Sequence, residues 1–366
     1  MKKYTWILFL SCGITLQLCA SELPTAHAQR DVGRTSNTGD WDDGLWIDSD
    51  GNAAPPTQQD NVILADSQSV PGSWEPVNLE LVSQAVIQFL QLGNTAQGNL
   101  TLKQDASLTA SQGIKINNGQ LLLQQGAELS TTNFALDGPN ASALFYGDAQ
   151  ITNVSARNDS LLVIGADLDL GSGQLELSQS TLQLDANLTA NSVWINGQSA
   201  VVNRSTNTSL NTSQLLLTGS NFAMNSQDAI NDVTVSSGGE FQSFSGSQID
   251  NIVATFSTAT LNADTTVDSL FVKDHSHLLL NGPQKVSILT LQDSKLWLDG
   301  DLSVARLYIR NSDGTPNEEV HRISGNIDID RLVVKGANFT LSETDRVNEG
   351  IFLEAVSKLS GWSEPV

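Results

Sequence analysis

"TLQLDANLTANSVWINGQS", residues 181–199, holds two alternating apolar pairs with one apolar residue between them. Leu182 and Leu184 make the first pair, Leu188 follows a turn, and Val193 and Ile195 make the second. Alternation with a period of two places each pair on one face of a short strand. The Asp, Asn and Gly residues between the pairs tolerate left-handed or Asx-turn geometry. The same order recurs on both sides. "LLVIGADLDLGSGQLELSQS" precedes it, and "ATLNADTTVDSLFVKDHS", "HLLLNGPQKVSILTLQDS" and "KLWLDGDLSVARLYIRNSDG" come later. Repeats starting near 161, 181, 200, 221, 240, 259, 277 and 295 are 18 to 21 residues apart.

Strands of ~3–5 residues in a repeat of ~20 cannot pair usefully within one repeat, so they must pair with the equivalent strands of the next. The expected fold is all-β: a single-stranded right-handed parallel β-helix, a solenoid of roughly a dozen coils of about 18–22 residues. Each coil has three faces around an aliphatic interior, and the rod is on the order of 60 Å long. A sandwich would use longer strands with turns every ~8–12 residues. A propeller would repeat every ~40–45.

The expected division of the chain follows from this repeat. Met1, Lys2, Lys3, the run "WILFLSCGITLQLCA" and "AHA" at 26–28 read as a signal peptide over 1–28, so the protein is expected to be secreted or displayed on a bacterial surface. Residues 29–98 are an N-terminal cap and first irregular coils, 99–345 the β-helix, and 346–366 a C-terminal cap. In "VNEGIFLEAVSKLSGW", Phe352, Val356 and Leu359 stand at i, i+4 and i+7, which predicts a short capping helix. No later run has the ~18 apolar residues of a membrane helix. The ~25 residues at the end are too few for a barrel with strands of ~9–11 residues.

Composition excludes several chemistries. Cys12 and Cys19 both precede Ala28, so the mature chain is expected to lack disulfides, thiolate metal sites and cysteine nucleophiles. Net charge is −22, and Lys and Arg are sparse, with only Arg157 and Arg204 between 116 and 272. Such a chain repels phosphate backbones, so nucleic acid is not an expected partner.

A solenoid needs closed ends. Trp41, Trp46, Pro56, Asp60, Val62 and Leu64 precede the first clear repeats. This spacing resembles the "W…W…P…D-x-V-x-I" entry of bacterial autotransporter-associated β-helical surface proteins, over about 25 residues. Two positions depart from it: Leu64 replaces Ile, and Leu45 replaces the Asn before the second Trp. The resemblance implies a passenger-like surface protein without its barrel, with the two tryptophans plugging the first coil. The same stretch is a poor calcium loop. With Gly51 at position six, Asp48 and Asp50 fall at three and five, but Trp46 and Thr57 occupy the end positions.

No reactive constellation stands out, and no catalytic or metal-binding residue is assigned. His275 and His277 could share a strand face, yet "KDHSH" also reads as a turn. Asp167/Asp169 and Asp328/Asp330 each project to one side, ~7 Å apart, a separation that suits inverting glycoside hydrolysis or a cation. Each pair also sits among inward Leu and Ile, which makes it the solvent row of a strand. Calcium is the one cofactor left open.

Basic residues gather after 270. In "RLYIR", Arg306, Tyr308 and Arg310 share the outward face, and one coil later "RLVVK" puts Arg331, Val333 and Lys335 in the same relative place. One strand earlier than that set, "LFVK" adds Phe271 and Lys273. Between the first two lies the insertion "NSDGTPNEE" at 311–319, a surface loop. Arg306, Tyr308, Arg310, Arg331 and Lys335 are therefore the candidate ligand-binding residues, for a glycan or a cell-surface protein. The expected function is non-enzymatic, in adhesion, matrix or structural display. The alternative is a polysaccharide lyase or hydrolase, which would line a groove with these cations and nearby carboxylates.

Overall fold

Residues one repeat apart lie side by side in a computed structural model of the chain, which describes residues 31–34, 38–41, 46–48, 56–64, 77–94, 96–202, 205–312, 320–354 and 357–361. Leu121 pairs with Ala143, Ala143 with Leu162, Leu162 with Leu182 and Leu182 with Val201, always in parallel. The result is an all-β parallel solenoid of about 14 turns. The short strands begin at Leu161, Thr181, Ala200, Asn221, Glu240, Thr258, His277 and Lys295. Those positions match the repeat starts read from the sequence, with one shifted by a residue.

Most coils have one short and one long strand. In Ser107–Ile116, Leu108 and Ala110 are buried, Ser111 and Gln112 both face out, and Ile114 and Ile116 are buried again. Two outward residues in succession shift the alternation by one and turn the strand around a corner. One long strand thus covers two faces, called first and second below, and the short strand covers the third. Among the described residues the long strands belong to one 18-stranded sheet. The short strands form an eight-stranded sheet up to Ala200–Val202 and a six-stranded sheet from Asn221–Ala223 onward.

Inward side chains stack on their counterparts. The second-face column Ile252, Leu270, Leu289, Leu307 and Leu332 is at most 1% exposed throughout. Each such side chain contributes roughly 1.5–3 kcal/mol of burial. At the corner into the third face, small polar residues repeat instead: Ser160, Ser180, Ser199, Ser220, Ser257, Ser276 and Ser294 are all buried. Ser276 Oγ donates to Lys273 O and accepts from Ser257 N, so this side chain satisfies two backbone groups at the corner.

Both ends depart from the repeat. Trp41 and Trp46 are buried in the first coils, their rings 4.8 Å apart, and Trp46 Nε1 donates to Trp41 O at 2.7 Å. Asp60 Oδ2 accepts from Thr57 N and shapes the turn before Asn61–Leu64, where Val62 and Leu64 point inward. The strand Val77–Leu81 already pairs in register with Gly98–Leu102, so regular coils begin ahead of residue 99. The signal-peptide residues and the stretch 49–55 lie outside the described residues.

The C-terminal capping helix is not formed. Arg346–Glu354 is a strand paired with Ile327–Lys335, and Lys358–Ser360 pairs with Asn338–Thr340. Phe352 and Leu359 therefore belong to two strands, and Val356 lies outside the described residues. The i, i+4, i+7 spacing misled because a strand, a turn and a strand can place apolar residues at the same intervals. No helix occurs among the described residues.

Candidate functional site

The pairing register fixes what the outer second face presents. Three outward columns run along the rod. The central one is Val253, Phe271, Thr290, Tyr308, Val333 and Phe352, each opposite the next. On one side stand Ser269, Ile288, Arg306, Arg331 and Gly350. On the other stand Lys273, Gln292, Arg310, Lys335 and Glu354. The five candidate residues are thus brought together on one face: Arg306 opposes Arg331, and Arg310 opposes Lys335. Phe271 and Lys273 join them, with one correction. The strand Gln284–Gln292 intervenes, so Phe271 lies two rungs from Tyr308.

Each ring has a cation beside it. Lys273 Nζ lies 5.8 Å from the Phe271 ring centre, Arg310 Cζ 5.5 Å from Tyr308, and Arg331 Cζ 4.3 Å from Phe352. The ring quadrupole attracts a cation at these distances and fixes the long side chains along the face. Lys335 lies 3.6 Å from Glu354, and Lys273 lies 3.8 Å from Asp274, both exposed pairs of little strength. Arg306, Arg310 and Arg331 make no ion pair among the described residues. All three are exposed. The insertion beside them is described only as far as Ser312, which binds Asp293.

The other sequence candidates fall apart or fall elsewhere. His275 sits in a turn at φ +61°, 6.3 Å from Phe256, whereas His277 packs 4.8 Å from Trp297. Trp297 also stacks on His321 at 5.3 Å, an aromatic cluster on the third face that the spacing of the histidines did not reveal. Asp328 and Asp330 do share a side, since the Asn348 amide donates to both at 3.0 and 3.1 Å. Asp167 and Asp169 accept from Asn187 N and Gly171 N and so hold turns.

This second pair borders a feature that the sequence did not disclose. The strand Asp148–Arg157 pairs with Gln174–Ser178 only from Val154 onward. Leu168–Asp169 pairs with Leu188–Asn196 but, among the described residues, not with Asp148–Arg157. The first-face sheet is interrupted there, and an open cleft of about 660 Å³ results, lined by Thr109, Ser130, Thr152, Asp148, Asp167 and Asp169 among others. Asp169 pairs with Thr189 and Gln174 with Ser192, so four residues stand where the next coil has two, and the turn at 171–173 within them is the sequence signal for the cleft.

Among the described residues no three His, Cys, Asp or Glu side chains form a metal-holding group. No protein-family model, curated protein or solved structure matches the chain.

Proposed function

We propose that the protein is a non-enzymatic β-solenoid, secreted or held at the cell surface, that serves adhesion or matrix display through its outer second face. One observation carries this reading: Arg306, Arg310 and Arg331 stand exposed and adjacent on an in-register surface, with no carboxylate partner among the described residues, in a chain of net charge −22. A surface that only balanced charge would pair these guanidiniums with the abundant Asp and Glu. Screening of glycan arrays and cells with the purified chain, with and without calcium, tests it. Binding should fall sharply in the triple variant Arg306→Ala, Arg310→Ala, Arg331→Ala. Equal binding by that variant overturns the reading.

A polysaccharide lyase or hydrolase is the second reading, and the acidic cleft favours it. Asp148, Asp167 and Asp169 line one opening, as paired carboxylates for glycoside hydrolysis would. Release of reducing ends or unsaturated sugars by the native chain, abolished by Asp167→Asn or Asp169→Asn, would establish the enzyme and displace the first reading.

A further inference from the structure

Aromatic rings on the outer second face recur at every second rung. Phe271, Tyr308 and Phe352 alternate with the smaller Thr290 and Val333, of which Val333 is itself covered to 9% exposure. Adjacent parallel strands lie about 4.8 Å apart, so successive rings lie about 10 Å apart along the rod. Cations flank this column on both sides, Arg306 and Arg331 on one, Lys273, Arg310 and Lys335 on the other.

We infer that this column is a track for an extended anionic polysaccharide, a ribbon of equatorially 1,4-linked uronate sugars lying parallel to the rod axis. The inference rests on the ligand-binding reading of the same face. A pyranose linked through equatorial oxygens advances a chain by about 5 Å, close to the strand spacing of about 4.8 Å. Alternate sugars of such a ribbon present the same face about 10 Å apart, in step with the rings. Its carboxylates project alternately to the two sides, where the two cation columns stand. Pyranose rings offer C–H groups to aromatic side chains, and guanidinium matches carboxylate in shape and charge.

Most other anionic chains fit the spacing less well. An extended peptide repeats its facing side chains every ~6.7 Å. Duplex DNA carries a charge per ~1.7 Å of axis, far denser than these cations. A polyproline helix turns every ~9.3 Å and is the nearest competitor. Long-range repulsion by the acidic rod does not forbid the contact. Ten of the 18 Lys and Arg residues follow position 270, and charges beyond ~8 Å are screened at physiological salt. Glu354 beside Lys335 and Asp274 beside Lys273 weaken the two ends of the track, which leaves the three arginines as its centre.

The test titrates the purified full chain with four probes: β-1,4-mannuronate oligomers of about two to eight sugars, α-1,4-galacturonate oligomers of equal charge but axial linkage, neutral cello-oligomers, and an acidic proline-rich peptide. Mannuronate should bind with affinity rising up to about five sugars, the length that spans Phe271 to Phe352, and then levelling. Galacturonate and cello-oligomers should bind at least about tenfold more weakly. Tyr308→Ala should weaken mannuronate binding about tenfold, and Phe271→Ala should weaken only the longer oligomers. Both side chains point outward, and unchanged thermal unfolding will show that the coils persist. Equal affinity for the two uronates, absence of length dependence, an inert Tyr308→Ala, or tighter binding of the peptide overturns the inference. If another ligand binds through Arg306 and Arg310, only this inference falls. If neither a glycan nor a cell surface binds, the proposed function falls with it.

Discussion

Arg322 holds Asp345 through two parallel hydrogen bonds of 2.6 Å each, one from each terminal nitrogen. Arg322 pairs in register with Leu298, so it occupies the place of an inward leucine in the preceding coil. The Asp345 side chain is 1% exposed, and its oxygens also accept from Ile327 N and Ser342 N. A salt bridge thus interrupts the aliphatic interior of the third face, which resumes with Phe339 and Leu341, and it ties together three successive segments near the C-terminus. Removing one partner of a buried pair costs about 3–5 kcal/mol. Asp345→Ala should fall near the lower bound, because Arg322 is 20% exposed. In a solenoid the damage is local. Hydrogen exchange should quicken across Val320–Ser324 and Asn338–Thr340 while the coils before residue 250 keep their protection.

The same carboxylate sets an acid limit on this end. Burial pushes the Asp345 carboxyl up, but the hydrogen bonds from Arg322, Ile327 and Ser342 and the charge of Arg322 outweigh it and hold it below its ordinary value of 3.8. The folded form therefore releases its proton more readily than the unfolded one. Its contribution is fully present above 3.8 and is lost as pH falls through the lower folded value. Acid titration of C-terminal hydrogen exchange should show this loss in the native chain. In Asp345→Asn the dependence should flatten. An unchanged acid limb in that variant would assign the effect to other groups.

At the opposite end, Trp46 is 1% exposed and packs against Trp41. Trp46→Ala should cost about 3–5 kcal/mol in the first coils. Trp46→Phe keeps most of the packing and loses the bond from Nε1 to Trp41 O. That change should cost about 1–2 kcal/mol, because the Trp41 carbonyl loses its donor. Limited proteolysis ahead of residue 98 gives the comparison, with cleavage fastest in Trp46→Ala and intermediate in Trp46→Phe.

The legible parts of this fold are those where one residue type does one thing in every coil. Leu182, Leu162 and Leu121 could be stacked from their period alone, and Arg306 could be placed over Arg331 by the same count. Illegibility began where a residue broke the column it belongs to. Arg322 is charged, yet it stands in an inward column because Asp345, 23 residues later, neutralises it. Gly171 to Gly173 read as an ordinary turn, and only the lost pairing of Asp148–Arg157 shows that it opens a cleft. Trp297 meets His277 and His321 across three strands, a contact that no local spacing encodes. The C-terminal helix was expected from a helical period that two strands and a turn also satisfy.

Gly282, Gly300 and Gly325 occupy one corner of three successive coils, where the backbones approach too closely for a side chain. A Cβ on Gly300 would meet the Gly282 carbonyl carbon at 2.4 Å, and one on Gly325 would meet Gly300 O at 2.0 Å. Both residues also have positive φ, +136° and +86°. Gly300→Ala therefore requires the coils to part as well as a strained backbone. It should cost about 3 kcal/mol or more, beyond the 1–3 kcal/mol of dihedral strain alone. Gly171→Ala is the control, at φ +57° with no atom within 4 Å of the added carbon, and should cost about 1 kcal/mol. Exchange protection in Gln284–Gln292 and Leu302–Arg310 should fall in Gly300→Ala. Gly171→Ala should leave those strands as they are. Equal effects of the two substitutions would mean that backbone dihedrals, not the close approach of neighbouring coils, select glycine at this corner.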